Sequence, residues 1–380
     1  MSYFLSEEQI LIQNTARDFA INEVKPVTKE LDEKHEFPTA LVNRCAELGF
    51  LGVSIPEKWG GAGADCVSEC LVIEEIAKVN GSLALIIDAH CSLGCMPLLH
   101  AGNEAQKTKY LIPAAKGEKI MSFGLTEPTA GSDAGGTKTT AVLDGDHYVI
   151  NGSKCWITNI GVSKTYIITA KTDLGMKGSR GISAFILEAG TPGFTVGEPE
   201  KKMGLNSSYT GELFFNNVRV PKENLLGELN QGFKVFMQGL DEGRIAISAM
   251  AVGMAQGALD LAVAYAKERQ QFGKPIASFQ GTSFKLAEMQ ANIDLTRTYL
   301  YRVAKMRDLG MKYTTEAAIL KMFSSEMCVN VIDKSLQIHG GNGYSKGFDI
   351  ERFYRDAKLL MIGEGTSEVC RIVISGAVLA

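Results

Sequence analysis

A glutamate between two glycines, Gly363-Glu364-Gly365, is the residue of this sequence best placed to move a proton. Neither neighbour carries a side chain that could shield the carboxylate, and the backbone there can approach a ligand closely. A lone glutamate is by default a solvated surface charge, so only its context can give Glu364 a role. Four other segments carry chemistry. Phe123-Gly124-Leu125-Thr126-Glu127-Pro128-Thr129-Ala130-Gly131-Ser132-Asp133 combines hydroxyls, glycines and backbone donors suited to a flat polar ligand, and reads alone as a capped loop. Asn151-Gly152-Ser153-Lys154-Cys155-Trp156-Ile157-Thr158-Asn159 adds an aromatic plane and a hydroxyl after a turn, although tryptophan more often belongs to a core. Arg269-Gln270-Gln271-Phe272-Gly273-Lys274-Pro275 closes a helix in a sharp basic turn, either a pyrophosphate grip through charge-assisted bonds or a solvated cap. Gln337-Ile338-His339-Gly340-Gly341-Asn342-Gly343 follows a helix and either admits a ligand or forms a left-handed ending.

Other chemistries lose their support. No G-x-G-x-x-G follows a strand, and G-x-x-x-x-G-K-[ST], G-x-S-x-G and H-E-x-x-H are absent, which removes the usual nucleotide, hydrolase and zincin readings. Cys66 with Cys70 and Cys91 with Cys95 have metal-like spacing, but five histidines supply no matching second pair, so no metal is expected. The eight cysteines lie in apolar contexts of a chain too long to be a disulfide scaffold, which fits reduced thiols in a cytoplasm. A net charge of -4 gives no basic field for nucleic acid or an anionic membrane. Leu83 to Leu99 is the most apolar stretch, yet Asp88, His90 and Pro97 interrupt it short of a membrane span. Ser6-Glu7-Glu8-Gln9 reads as a helix start with no targeting segment before it, so the mature chain is expected to begin at its first residue.

The elements that must position these residues follow from proline placement and periodicity. In the first 120 residues, Ser6 and Gln9 predict a capping box, and Ile12, Ala16, Phe19 and Ala20 share one helix face. The middle holds short β-rich runs, Tyr148-Val149-Ile150, Tyr166 to Thr169, Ile182 to Leu187 and Glu212 to Phe215, with Asp144-Gly145-Asp146 as a hairpin signal. No proline occurs after Pro275, and the remaining 105 residues, rich in Ala, Leu, Met, Lys and Glu, predict several long helices. The expected chain is α+β and mainly α: helices over 1–120, an antiparallel β unit over 121–225, and helices over 226–380.

In this order and over essentially the whole chain, these segments resemble the acyl-CoA dehydrogenase family. The resemblance rests on Leu125-Thr126-Glu127-Pro128 with Gly131-Ser132-Asp133, Trp156-Ile157-Thr158-Asn159, Arg269-Gln270-Gln271-Phe272-Gly273, Gln337 to Gly343, and Glu364-Gly365-Thr366-Ser367-Glu368. It implies an N-terminal helical domain, a middle β domain and a C-terminal four-helix domain in a homotetramer, with FAD held across a subunit interface. Phe123, Leu125, Thr126, Trp156, Thr158 and Thr366 would then meet the flavin side, and Arg269, Phe272, Gln337 and Gly341 the adenine nucleotide part from a neighbouring subunit. Ser132, Asp241 and Arg244 resemble residues that meet the CoA moiety. Glu364 takes the place of the base that removes the α-proton of an acyl thioester while the β hydride passes to FAD, with electrons continuing to an electron-transferring flavoprotein.

Two departures bear on the acyl group. Most members resembling this chain carry tyrosine where it has Gly363, and loss of that ring should leave space for a branched, cyclic or aromatic acyl group unless another side chain fills it. Asp88 and Cys91 match the inner end of the acyl pocket, where Asp88 is also a possible second base. Together these favour a cyclohexanecarboxyl-CoA-like substrate over butyryl-CoA. One family branch places its base immediately before the arginine matching Arg244; that slot is Gly243 here, and Glu242 would point about 100° away around a helix. An acyl-CoA oxidase and an enoyl-CoA reductase working in the reverse direction are the rival activities.

Overall fold

The computed structural model describes residues 5–380. Ser6 caps α1 (Glu7–Phe19): its N–H donates to Gln9 Oε1 at 2.9 Å and the Gln9 N–H donates to Ser6 Oγ at 3.2 Å, closing the expected box. Ala16, Phe19 and Ala20 are buried, and Ile12 packs against the same core. Helices α2 (Lys25–Lys34), α3 (Thr39–Glu47), α4 (Cys66–Ala77), α5 (Gly81–Asp88) and α6 (Met96–Ala101), with the short α7 (Glu104–Gln106) and α8 (Ile112–Ala115), complete the first helical unit.

The anticipated interruption between Asp88 and Pro97 does not break the helix. A π-helical turn over Ala89–Cys95 joins α5 to α6, and Pro97 falls in the first turn of α6, where its missing N–H costs least. The continuous Gly81–Ala101 rod and the 37-residue helix described next are both long and apolar enough to cross a membrane, with mean hydropathy 1.6 and 1.5. However, 94% and 83% of these windows are buried within the fold, which makes them core helices.

The middle unit is a sheet of β1 (Met121–Gly124), β2 (Thr140–Asp144), β3 (His147–Thr158), β4 (Thr165–Lys171), β5 (Ile182–Glu188), β6 (Phe194–Val196), β7 (Thr210–Pro221) and β8 (Leu225–Leu226). Their order is β6-β7-β3-β2-β4-β5-β8, with β1 set against β4. Asp144 pairs with His147 around Gly145 at φ 65°, the expected hairpin. The sheet is mixed where antiparallel pairing was expected. Met121 lies opposite Thr165 in a parallel β1–β4 pair, because residues 125–164 travel through a loop and the β2–β3 hairpin before returning alongside, ample chain for a parallel crossover.

Long helices follow: α9 (Gly232–Glu268), α10 (Gln280–Asp308), α11 (Thr314–His339), α12 (Ile350–Ala357) and α13 (Ser367–Val378). Between α9 and α10, β9 (Gln270–Gln271) and β10 (Lys274–Pro275) form a small hairpin turned by Phe272 at φ 53° and Gly273 at φ 76°. One apolar cluster joins Leu71, Ile73 and Ile86 of the first helices to Met250, Val252, Leu320 and Val331 of the last. A second joins Tyr110 and Leu111 to Met121, Ile167 and Phe236, so both helical units pack against the end of the sheet.

Candidate active site

Glu364 stands in the turn between the 3-10 segment Lys358–Met361 and α13, at φ 55°, followed by Gly365 at φ 93°. Two successive left-handed residues make a sharp turn, which costs glycine little and a glutamate on the order of 1 kcal/mol or more. The turn drives the carboxylate inward: Oε2 is buried and accepts no hydrogen bond among the described residues. Three elements close around it. From α5 comes Asp88, fully buried, whose Oδ1 accepts from Ser92 Oγ at 2.5 Å while Oδ2 has no donor. From α9 comes Gly243, where a Cβ would lie 2.3 Å from Glu364 Oε2 and 2.7 Å from Leu93 Cδ2. From α11 comes Lys321, whose Nζ donates to the Gly365 carbonyl at 2.6 Å.

Burial pushes the Glu364 carboxyl up to about 7, against the opposing pull of Asp88, Lys321 and Arg244. Asp88 is held well above the usual carboxylate range by its own burial and then by the Glu364 charge. Two apposed carboxyls in a dry site cannot both ionise cheaply, so Asp88 is the neutral acid and Glu364, on the side of the cations, the group that titrates near neutrality. A carboxylate with that affinity for protons is suited to general-base work.

Asp241 and Arg244 belong to the same wall. Arg244 Nη1 donates to Asp241 Oδ1 at 2.8 Å, Asp241 Oδ2 accepts from Thr314 Oγ1 at 2.7 Å, and the buried Arg244 Nε has no partner. Glu242, next in sequence, turns away to His100, Arg307 and Tyr313. At Gly363 an added Cβ would find room, its nearest neighbours being atoms of Leu359 at 3.7 Å or more. The Cys91 thiol donates to the Phe50 and Leu51 carbonyls, inside the first helical unit.

The sheet presents a second set. Trp156 sits at a β-bulge of β3, at φ 60° and 61% exposed, a displayed face and not a core residue. The Cys155 N–H donates to the Thr126 carbonyl at 2.9 Å, tying the Leu125–Glu127 segment to that bulge. Ser122 Oγ donates to the Thr158 carbonyl at 2.7 Å, and Phe123 stacks on Phe236 of α9 with centroids 4.1 Å apart. Beneath lies a pair the sequence reading missed: the fully buried Lys154 donates to Glu127 Oε1 at 2.8 Å and to the Leu125 carbonyl at 3.2 Å. Burial lowers the Lys154 ammonium to about 8; burial opposes ionisation of Glu127 too, yet Lys154 and its other donors hold that carboxyl down to about 2. Thr366 is the N-cap of α13, its Oγ1 accepting from the Val369 N–H at 3.2 Å. Ser132 is exposed on the loop after β1.

The remaining candidates lie far off. Arg269 follows the last residue of α9, and the 24 residue steps from Arg244 to Glu268 span about 36 Å of helix. Phe272, 90% exposed, shares the outer surface with Arg269, Gln337 and Gly341. The helix before Gly340 ends at φ 59°, ψ -138°, outside the ordinary left-handed ending. The displayed indole over backbone segments braced from beneath suits the flat ring of a cofactor, and the basic hairpin with its bare aromatic ring, elsewhere on the chain, suits a nucleotide diphosphate.

Comparison with known proteins agrees with this geometry. Family models described as the N-terminal, middle and C-terminal domains of acyl-CoA dehydrogenase match residues 6–118, 122–218 and 230–379. The chain is 48% identical over 375 residues to a probable acyl-CoA dehydrogenase, YngJ, of Bacillus subtilis, covering 99% of each chain. It is 46% identical to the short-chain specific acyl-CoA dehydrogenase of Clostridium acetobutylicum over all of both chains. A caffeyl-CoA reductase–Etf complex subunit of Acetobacterium woodii is 44% identical, covering 99% of each. The solved structure of butyryl-CoA dehydrogenase from Megasphaera elsdenii superposes with a TM-score of 0.98, at 44% identity over the full length of both. An acyl-CoA dehydrogenase from Bacillus anthracis complexed with FAD superposes at 0.93, with 39% identity, covering 99% of this chain and 67% of that one.

Proposed function

The chain belongs to the acyl-CoA dehydrogenase family of FAD-dependent oxidoreductases acting on CH–CH bonds, and from that premise we propose that it oxidises a short acyl-CoA thioester to the enoyl-CoA with Glu364 as base. The observation that carries the reading is the Glu364 carboxylate itself, its Oε2 buried and undonated among the described residues, and its pKa raised to about 7 by burial. Bound FAD supplies the acceptor for the β hydride. Glu364 takes the α-proton from the opposite side of the acyl chain, and in this reading its backbone N–H holds the thioester carbonyl as charge develops there. Arg244 and Asp241 orient the CoA arm, and Ser132 meets it at the mouth. Trp156, Thr158, Thr126, Leu125, Phe123 and Thr366 hold the flavin. Arg269, Phe272, Gln337 and Gly341 serve the adenine nucleotide of a neighbouring subunit in a homotetramer.

A short acyl group is favoured by the names of the relatives at full-length identity, which give no support to the alicyclic preference. The open position at Gly363 still favours a second reading, in which a branched or ring-bearing acyl group lies beside Leu359. Electron-transferring flavoprotein as the partner, and reduction of an enoyl thioester as the physiological direction, both find support in the relative named as a caffeyl-CoA reductase–Etf complex subunit. Glu364 would then return the proton, since one site lowers the barrier in both directions. A cytoplasmic setting suits eight cysteines that are all free and buried.

The test is anaerobic bleaching of the flavin by butyryl-, isobutyryl-, glutaryl- and cyclohexanecarboxyl-CoA, in wild type and Glu364→Gln. Fastest bleaching with butyryl-CoA, slowed about 10³-fold in Glu364→Gln, is the expected result. Fastest bleaching with the ring substrate restores the alicyclic reading, and an unchanged rate in Glu364→Gln moves the base to Asp88. Peroxide released under air in step with turnover would make the enzyme an oxidase.

A further inference from the structure

Lys321 is a buried cation without a carboxylate partner. It lies on the face of α11 shared by Ala317, Leu320, Ser324 and Cys328, all buried, and is itself fully buried. Its Nζ forms no ion pair among the described residues, and its acceptor is the Gly365 carbonyl at 2.6 Å. Burying an ammonium is costly unless it is compensated. Leucine or methionine would fill that position of α11 without the cost. What the ammonium does instead is hold the carbonyl directly after the left-handed Glu364, in a turn that strain would otherwise relax.

The same charge faces the Glu364 carboxylate. Around Glu364 stand Asp88 from α5, Arg244 from α9 and Lys321 from α11; around Lys321 stand Glu364, Arg244, and Glu368 and Cys370 from α13. Arg244 is already committed to Asp241. Lys321 is therefore the cation on this wall whose ammonium, among the described residues, is in direct contact with no carboxylate and acts on Glu364 across space. We propose that Lys321 is the positioning residue of proton abstraction: it pins the Gly365 carbonyl so that Glu364 stays aimed inward, and it offsets the Glu364 charge within a dry site. The proposal rests on Glu364 being the base.

FAD-loaded Lys321→Met and Lys321→Gln are compared with wild type and Glu364→Gln. The readouts are the rate of anaerobic bleaching by butyryl-CoA as a function of pH, the flavin content and the melting temperature. Lys321→Met loses both grip and charge, so bleaching should slow about 30-fold and its pH midpoint should move alkaline by about one unit. Lys321→Gln keeps an N–H donor for the Gly365 carbonyl and loses only the charge; most of the rate should return while the alkaline shift remains. A folded, flavin-loaded Lys321→Met with the wild-type rate and midpoint overturns the proposal, as does an unshifted midpoint in Lys321→Gln should the methionine variant not fold. Wild-type bleaching in Glu364→Gln would instead overturn the base assignment, whatever Lys321 does.

Discussion

Glu364 Oε2 and Asp88 Oδ2 are two buried oxygens with no donor between them other than a shared proton, and the consequences can be measured one residue at a time. Because burial holds the Glu364 carboxyl at about 7, kcat/KM for butyryl-CoA should climb through neutral pH and level off above it, as the carboxylate form fills. Stability should run the other way. An unfolded glutamate titrates near about 4.3, so the folded state binds the proton more tightly and loses stability as pH rises from there toward 7. Glu364→Gln should therefore melt with wild type at low pH and roughly 2–4 °C above it by pH 8, read by calorimetry. A variant melting below wild type at pH 8 would mean that the Glu364 charge is stabilised by contacts that outweigh its burial. Gly243→Ala tests the opposite face. Its methyl group would lie within 2.3 Å of the Glu364 carboxylate and 2.7 Å of Leu93, so the helix or the base must shift, and bleaching should slow at least about tenfold with a stability loss of about 1–3 kcal/mol.

At the scale of elements, the Leu125–Glu127 segment and the Trp156 bulge are held by one buried ion pair, Glu127 with Lys154. Lys154→Met leaves Glu127 buried beside hydroxyls and N–H groups without its cation, and should cost about 3 kcal/mol and lower flavin retention on dilution. Adding Glu127→Gln should recover much of both losses, a coupling that a double-mutant cycle measures. Local signals in the sequence were sufficient for several elements: the Ser6–Gln9 box, the Asp144–Asp146 hairpin and the proline-free helices all depend on residues close in the chain. The β1–β4 parallel pairing was not legible, because Met121 and Thr165 meet only after a long crossover that leaves no periodic trace. Lys321 and Lys154 were missed for a related reason. A lysine reads as a surface residue, and only its place on the buried face, next to Leu320 and Ser324 for Lys321, could have hinted otherwise. Glu364 itself was visible only through its flanking glycines and the order of motifs, and Asp88 only through the family resemblance, whereas the apposition of the two carboxyls is a matter of packing.

The whole molecule unites two helical units and a sheet around α9, which takes part in the largest apolar cluster and carries candidate site residues near both ends. Phe272 is bare on the isolated chain, 90% exposed at the tip of its hairpin, and an aromatic ring so displayed is a poor use of a surface unless something covers it. If the assembly covers it, Phe272→Ala should leave the secondary structure intact while weakening both the tetramer and FAD retention, seen by analytical ultracentrifugation and by flavin release on dilution. Unchanged mass and flavin content would place the adenine nucleotide elsewhere.

The length of α9 has one more consequence. Its Arg244 end, beside Glu364, and its Arg269 end are separated by about 36 Å, so the end that serves the base and the end that would serve the adenine nucleotide stand too far apart to share one centre, and each chain would give its two ends to two different catalytic centres. Two inactive proteins could then repair one another. Subunits crippled at Glu364 and subunits crippled at Arg269, unfolded and reassembled together in equal amounts, would place an intact base beside an intact neighbour in about a quarter of the centres. Activity would appear in a mixture whose parents have none.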